Sequence, residues 1–124
     1  MLFNSYLRRK FSNALSYPST IGQTVPGFIN VSGNDGVKLH TALFPNKPTD
    51  GKFEKPKATI IYFHAYGSYI EKNAPVIAKF QEEGFEVVGF DMRCFGRSLG
   101  EPKGLIKDTS LLVRDSRNFL TTLN

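Results

Sequence analysis

The stretch ATIIYF, residues 58–63, is apolar without alternation. A strand with one wet face alternates apolar and polar residues, whereas a strand covered on both faces reads as a continuous apolar run, and such strands belong to parallel sheets with helices on each side. The segment that follows supplies a covering helix. Pro75 suits a first helical turn, Ile77 and Phe80 fall on one face, and Gly84 is placed to end a helix over Pro75–Glu83. FEVVGFD, residues 85–91, then returns as a second buried strand. Strand, helix and strand between Ala58 and Asp91 make a parallel βαβ unit, whose crossover is expected to be right-handed. Beyond a glycine-rich loop, Asp108 can cap a last helix in which Leu112, Phe119 and Leu123 share a face.

Upstream, FINVS and VKLHTALF are short β-type runs separated by Gly33-Asn34-Asp35-Gly36, and the Asp-Gly pair signals a hairpin. His40 sits between Leu39 and Thr41 on the second strand and is expected at the surface. YPSTIGQTVPG, with two prolines and two glycines, reads as a linker, so the chain divides into a tail with linker over 1–26 and a folded domain over 27–124. The tail carries Arg8, Arg9 and Lys10 ahead of the first acidic residue, Asp35, and Phe3, Leu7, Phe11 and Leu15 recur every four residues around them. Three readings of residues 1–17 stay open. They are a solvated tail or extra helix, a mitochondrial targeting segment, or an amphipathic helix in contact with an anionic membrane surface.

Composition narrows the remaining classes. A chain of 124 residues with 40% hydrophobic content has material for one core. No apolar run approaches the ~18 residues needed to cross a bilayer. The one cysteine, Cys94, rules out an internal disulfide and suits an intracellular location, cytoplasmic or membrane-associated. Although the net charge is +5, the basic residues beyond the tail are scattered among acids, so no nucleic-acid partner is expected. Two histidines and one cysteine at wide spacing do not make a zinc site, and no metal or cofactor is expected.

In parallel α/β sheets ligands bind beyond the carboxyl ends of the strands, which here means the loops HAYGS, residues 64–68, and DMRCFGRSLG, residues 91–100. An apolar strand ending in an H-G-x-G-like loop, a helix, a strand ending in a D-x-R-G-x-G-x-S-like loop, and a helix with LLVRDSRNFL together resemble the amino-terminal half of the α/β-hydrolase superfamily. The nearest resemblance is to its monoacylglycerol lipase and lysophospholipase group, also classed with serine aminopeptidase-like hydrolases. It covers roughly residues 28–123. The implied fold is α/β: the amino-terminal part of an α/β-hydrolase sheet, a β-hairpin followed by a parallel βαβ unit and a helix, and incomplete.

The resemblance also implies roles. His64, Ala65, Tyr66 and Gly67 form the oxyanion loop, with the Tyr66 N–H aimed at the negative oxygen that develops when an acyl carbonyl is attacked. Asp91, Arg93, Cys94, Gly96 and Ser98 form a structural loop. Two positions depart from the family pattern: Ala65 and Cys94 stand where glycine is usual, and a positive φ at either costs about 1 kcal/mol. His64 is expected to be a hydrogen-bonded core residue. GRSLG, residues 96–100, fits the G-x-S-x-G pattern of a nucleophile elbow, but an elbow joins a strand directly to a helix, and here the strand ends near Asp91 and EPKG follows. No histidine follows His64, so Ser98 has no base in the order this fold uses. A Cys94/His64 nucleophile pair lacks an orienting third group. No catalytic residue is therefore expected within the chain. The expectation is a truncated amino-terminal portion of a serine hydrolase, acting when completed on an acyl ester or lipid such as a monoacylglycerol or lysophospholipid. The alternative is a non-catalytic module of hydrolase fold that binds lipid, membrane or a partner chain. In the family's strand order residues 58–63 would have one bare edge, and the chain alone is expected to be poorly soluble or self-associating.

Overall fold

The computed structural model describes residues 25–30, 36–47 and 55–123, and the basic segment 1–17 with most of the linker lies outside them. Strand β1 (Val25–Asn30) pairs antiparallel with β2 (Lys38–Phe44), from Val25 opposite Leu43 to Asn30 opposite Lys38. β1 begins at Val25 rather than Phe28, taking in Pro26 and Gly27 of the segment read as linker. A proline is tolerated there because β1 is outermost among the described strands.

Strands β3 (Thr59–Tyr62) and β4 (Glu86–Phe90) pair in parallel, Thr59 opposite Glu86 and Tyr62 opposite Gly89. β4 also pairs antiparallel with β2, so the order of the described strands is β1-β2-β4-β3. Two helices cover the two faces. Helix α1 (Ala74–Glu82) brings Ile77 onto Ala42, Phe44 and Val87, while α2 (Thr109–Leu123) brings Phe119 and Leu123 onto Leu39, Leu43, Val88 and Phe90. Complete burial of each large side chain stabilises the fold by roughly 1.5–3 kcal/mol.

Both helices end or begin as their sequences dictate. At the end of α1, Gly84 adopts φ +92°, its N–H bonds to Gln81 O at 3.1 Å, and the Phe85 N–H bonds to Phe80 O at 2.9 Å. That pair of bonds satisfies carbonyls that the helix would otherwise leave open. At the start of α2, Asp108 Oδ1 accepts from the Ser110 N–H at 2.8 Å. Hydrogen bonds from Ser110, side chain first and backbone second, hold the Asp108 carboxyl below its ordinary value despite some desolvation, and Arg114 pulls in the same direction.

A 3₁₀ turn, Ile70–Asn73, precedes α1 and is not foreshadowed by periodicity. It seats Ile70 directly on the sheet. A Cβ at Gly89 would stand 2.5 Å from Ile70 Cδ1 and 2.6 Å from Tyr62 O, so β4 has a glycine where the turn presses against it. The surface placement of His40 is overturned here. Helical layers cover both faces of β2, all residues from Leu39 to Phe44 are buried, and His40 lies under the 3₁₀ turn with Nε2 2.7 Å from Glu71 Oε1.

Candidate functional site

The loops after β3 and β4 lie together at the carboxyl end of the parallel pair, and His64 joins them. Its Nε2 accepts the Met92 N–H at 2.8 Å. A ring nitrogen that accepts cannot carry the proton, so Nδ1 carries it and donates to Ala65 O at 2.8 Å. The buried imidazole is thus neutral and held by backbone groups at both nitrogens. Neither nitrogen is left to serve as a base for Cys94 or Ser98.

The loop after β3 turns tightly, with the Ser68 N–H bonded to Ala65 O at 3.0 Å and Gly67 at φ +82°. Among the described residues the Tyr66 N–H forms no hydrogen bond, while the Tyr66 side chain is fixed. Its ring meets Phe95 edge-on at 4.8 Å and its hydroxyl accepts the Ile106 N–H at 3.3 Å.

The loop after β4 is organised by buried side chains. Asp91 Oδ1 accepts the Ile70 N–H at 2.8 Å and Oδ2 accepts the Arg97 N–H at 2.9 Å. Gly96, at φ +53°, passes so close to this carboxylate that any Cβ would collide with Oδ2. Arg93 reaches across to α2, donating from Nε to Asp115 Oδ2 at 2.6 Å and from Nη2 to Asp115 Oδ1 at 2.8 Å. Ser98 is fully buried. Its hydroxyl donates to Asp91 O at 2.5 Å and accepts the His40 N–H at 2.9 Å, which ties the loop to β2.

Cys94 has φ +67°, the one positive φ at a non-glycine residue among those described, while Ala65 carries no such strain. The Cys94 backbone is gripped on both sides, its N–H by Leu99 O at 3.1 Å and its carbonyl by the Gly104 N–H at 2.8 Å, so the loop cannot relax around it. The left-handed conformation penalises any side chain by roughly 1–2 kcal/mol, against which glycine's extra freedom in the unfolded chain costs about 0.4–1. Cys94→Gly is therefore expected to exceed Cys94→Ala in stability by about 0.5–1 kcal/mol in urea unfolding, the reverse of the order elsewhere in folded chains. Equal stabilities, or alanine the more stable, would show that the site imposes no strain.

The fold also gathers residues that sequence reading did not connect. His40, Glu71 and Asp91 place donor atoms within 4.8 Å of one another. These atoms are already engaged, His40 Nε2 by Glu71 and the two Asp91 oxygens by the Ile70 and Arg97 N–H groups, so they tie β2, the 3₁₀ turn and the β4 loop together. Asp115 was legible only as part of a helix, and nothing in its spacing from Arg93 announced the pair.

A mixed sheet with a parallel βαβ unit, and two loops locked together at its carboxyl end, defines an α/β-hydrolase architecture. The comparisons agree. The profile of the family described as "Serine aminopeptidase, S33" matches residues 54–124, and the chain belongs to that family. Among solved structures, the α/β hydrolase GrgF from Penicillium sp. sh18 is 26% identical with a TM-score of 0.59, over 80% of this chain and 31% of its own. A soluble variant of monoglyceride lipase from Saccharomyces cerevisiae, 20% identical, shares the fold with a TM-score of 0.61 over 85% of this chain and 33% of its own. The uncharacterized protein YfhR of Escherichia coli K12 is 29% identical over 92 residues, 73% of this chain and 32% of that protein. The chain thus spans about a third of the length of these relatives, and it forms an incomplete α/β-hydrolase sheet.

Proposed function

We propose that the chain is the amino-terminal portion of a serine hydrolase that cleaves a carboxylic ester, with a monoacylglycerol or lysophospholipid as the substrate class. It contributes the oxyanion loop, and residues outside 1–124 contribute the nucleophile, its acid and the catalytic histidine. The observation that carries this reading is the loop after β3. Its turn is closed by Ser68, its base is fixed by His64, and its Tyr66 N–H has no partner among the described residues, at the end of the sheet where ligands of this architecture bind. A donor fixed before the reaction stabilises a developing oxyanion without reorganising, an effect worth about 2.7–4 kcal/mol per donor. Ser98 fits the supporting role, because its hydroxyl is buried and used at both ends.

The test is labelling by a fluorophosphonate probe, applied to the 124-residue chain and to the product of the same locus read through past Asn124. Labelling of the longer product alone is expected. Labelling of the short chain that disappears in Ser98→Ala would overturn the reading. The alternative reading, a non-catalytic module of hydrolase fold that binds lipid, membrane or a partner chain, predicts that neither product is labelled.

A further inference from the structure

We propose that the side chain of Tyr66 aims the N–H of its own residue, by tying the loop after β3 to the loop after β4. This inference rests on the reading of the Tyr66 N–H as an oxyanion donor and adds a positioning group to it. A donor lowers the barrier only when it already points at the place where the negative oxygen develops, so what fixes its direction matters as much as its presence. The N–H of Tyr66 and the carbonyl of Ala65 belong to one planar peptide group, and in the trans form they point in opposite directions. Two donors hold the carbonyl end, His64 Nδ1 at 2.8 Å and the Ser68 N–H at 3.0 Å. The group can still swing about that oxygen unless the Cα of Tyr66 is held as well.

The side chain supplies that second hold. Its ring meets Phe95 edge-on at 4.8 Å, and its hydroxyl accepts the Ile106 N–H at 3.3 Å. Both partners are themselves fixed. Phe95 is buried, with its N–H on Met92 O at 3.0 Å, and the Ile106 side chain is buried two residues after Gly104, whose N–H is held by Cys94 O at 2.8 Å. The Met92 N–H in turn bonds to His64 Nε2 at 2.8 Å. The contacts therefore close a ring that runs from His64 through Met92 and Phe95 to Tyr66 and back along the chain. Opening it at the Tyr66 side chain leaves the donor peptide anchored by its oxygen alone. Tyr66 is 59% exposed, so replacing it opens no cavity in the core, and the consequence falls on the loop.

The test uses the product of the same locus read through past Asn124, assayed on p-nitrophenyl butyrate, with rates expressed per site titrated to completion by the fluorophosphonate probe. Tyr66→Phe keeps the ring contact and loses the bond to Ile106. It is expected to lower kcat about fivefold with KM unchanged, a factor of the size that one neutral hydrogen bond carries. Tyr66→Ala loses both holds and is expected to lower kcat about thirtyfold, less than the roughly 10²–10³-fold given up when a donor is removed altogether. Affinity for an alkyl trifluoromethyl ketone, whose adduct with the enzyme carries the oxyanion, should fall by the same factors. A side chain that only stabilised the fold would change the number of titrated sites and leave the rate at each site alone. With the wild type labelled, a wild-type kcat per site in Tyr66→Phe, or a loss confined to KM, would overturn this proposal and leave the hydrolytic reading standing. A wild-type long product that takes up no probe would overturn both.

Discussion

Arg93→Met is expected to lower stability by about 3–5 kcal/mol, because it leaves the Asp115 carboxylate buried without its cation. The geometry makes the loss severe. Asp115 is wholly inaccessible and receives two short bonds from one planar guanidinium, while Arg114 approaches only to 3.8 Å and cannot substitute. Domains of this size are stable by about 5–15 kcal/mol, so the single replacement removes a large share of the total. Asp115→Leu should cost a similar amount by stranding the guanidinium. The double variant Arg93→Met/Asp115→Leu should recover most of the loss, since an apolar pair avoids the desolvation that the ion pair must overcome. Urea unfolding of the wild type, both single variants and the double variant yields the coupling energy. Singles that cost less than about 1 kcal/mol would mean that water reaches the pair, and that α2 is not pinned to the loop through it.

What the sequence disclosed follows from which rules apply without knowledge of neighbours. The unalternated run at 58–63, the return at 85–91, Gly84 after α1 and Asp108 before α2 are local signals, and each marks an element found in the fold. His40 was misplaced because a lone polar residue in a strand is read on the assumption that one face is wet. Here the 3₁₀ turn covers that face, and the turn has no periodic signature in residues 70–73. The Arg93–Asp115 pair was illegible for a different reason: each residue alone looks like a solvated charge, and only packing brings them together. Cys94 stands between these cases. Its left-handed backbone could be suspected only by setting the loop beside the family motif, in which glycine occupies that position.

The glycine two residues further on should prove far less replaceable. Gly96→Ala is expected to destabilise the chain by about 3–6 kcal/mol, from two sources that a control can separate. The first is conformational: φ +53° penalises a side chain by roughly 1–2 kcal/mol. The second is collision with the Asp91 carboxylate, whose Cγ would lie 2.6 Å from the new methyl carbon, with Tyr69 Cβ at 2.9 Å on another side. Asp91 cannot step aside without releasing the Ile70 and Arg97 N–H groups, and bonds to a charged acceptor contribute roughly 1.5–3 kcal/mol each. Gly104→Ala supplies the control, because φ +80° gives it the same conformational penalty and no atom lies within 4 Å of its Cβ position. The excess of the first variant over the second measures the collision alone. A further readout separates local from global damage: release of Ile70 should raise the hydrogen exchange of its amide well beyond that of the strand amides of β4. If the two alanine variants melt together and the Ile70 amide stays protected, the Asp91 carboxylate is not what holds the 3₁₀ turn against the loop.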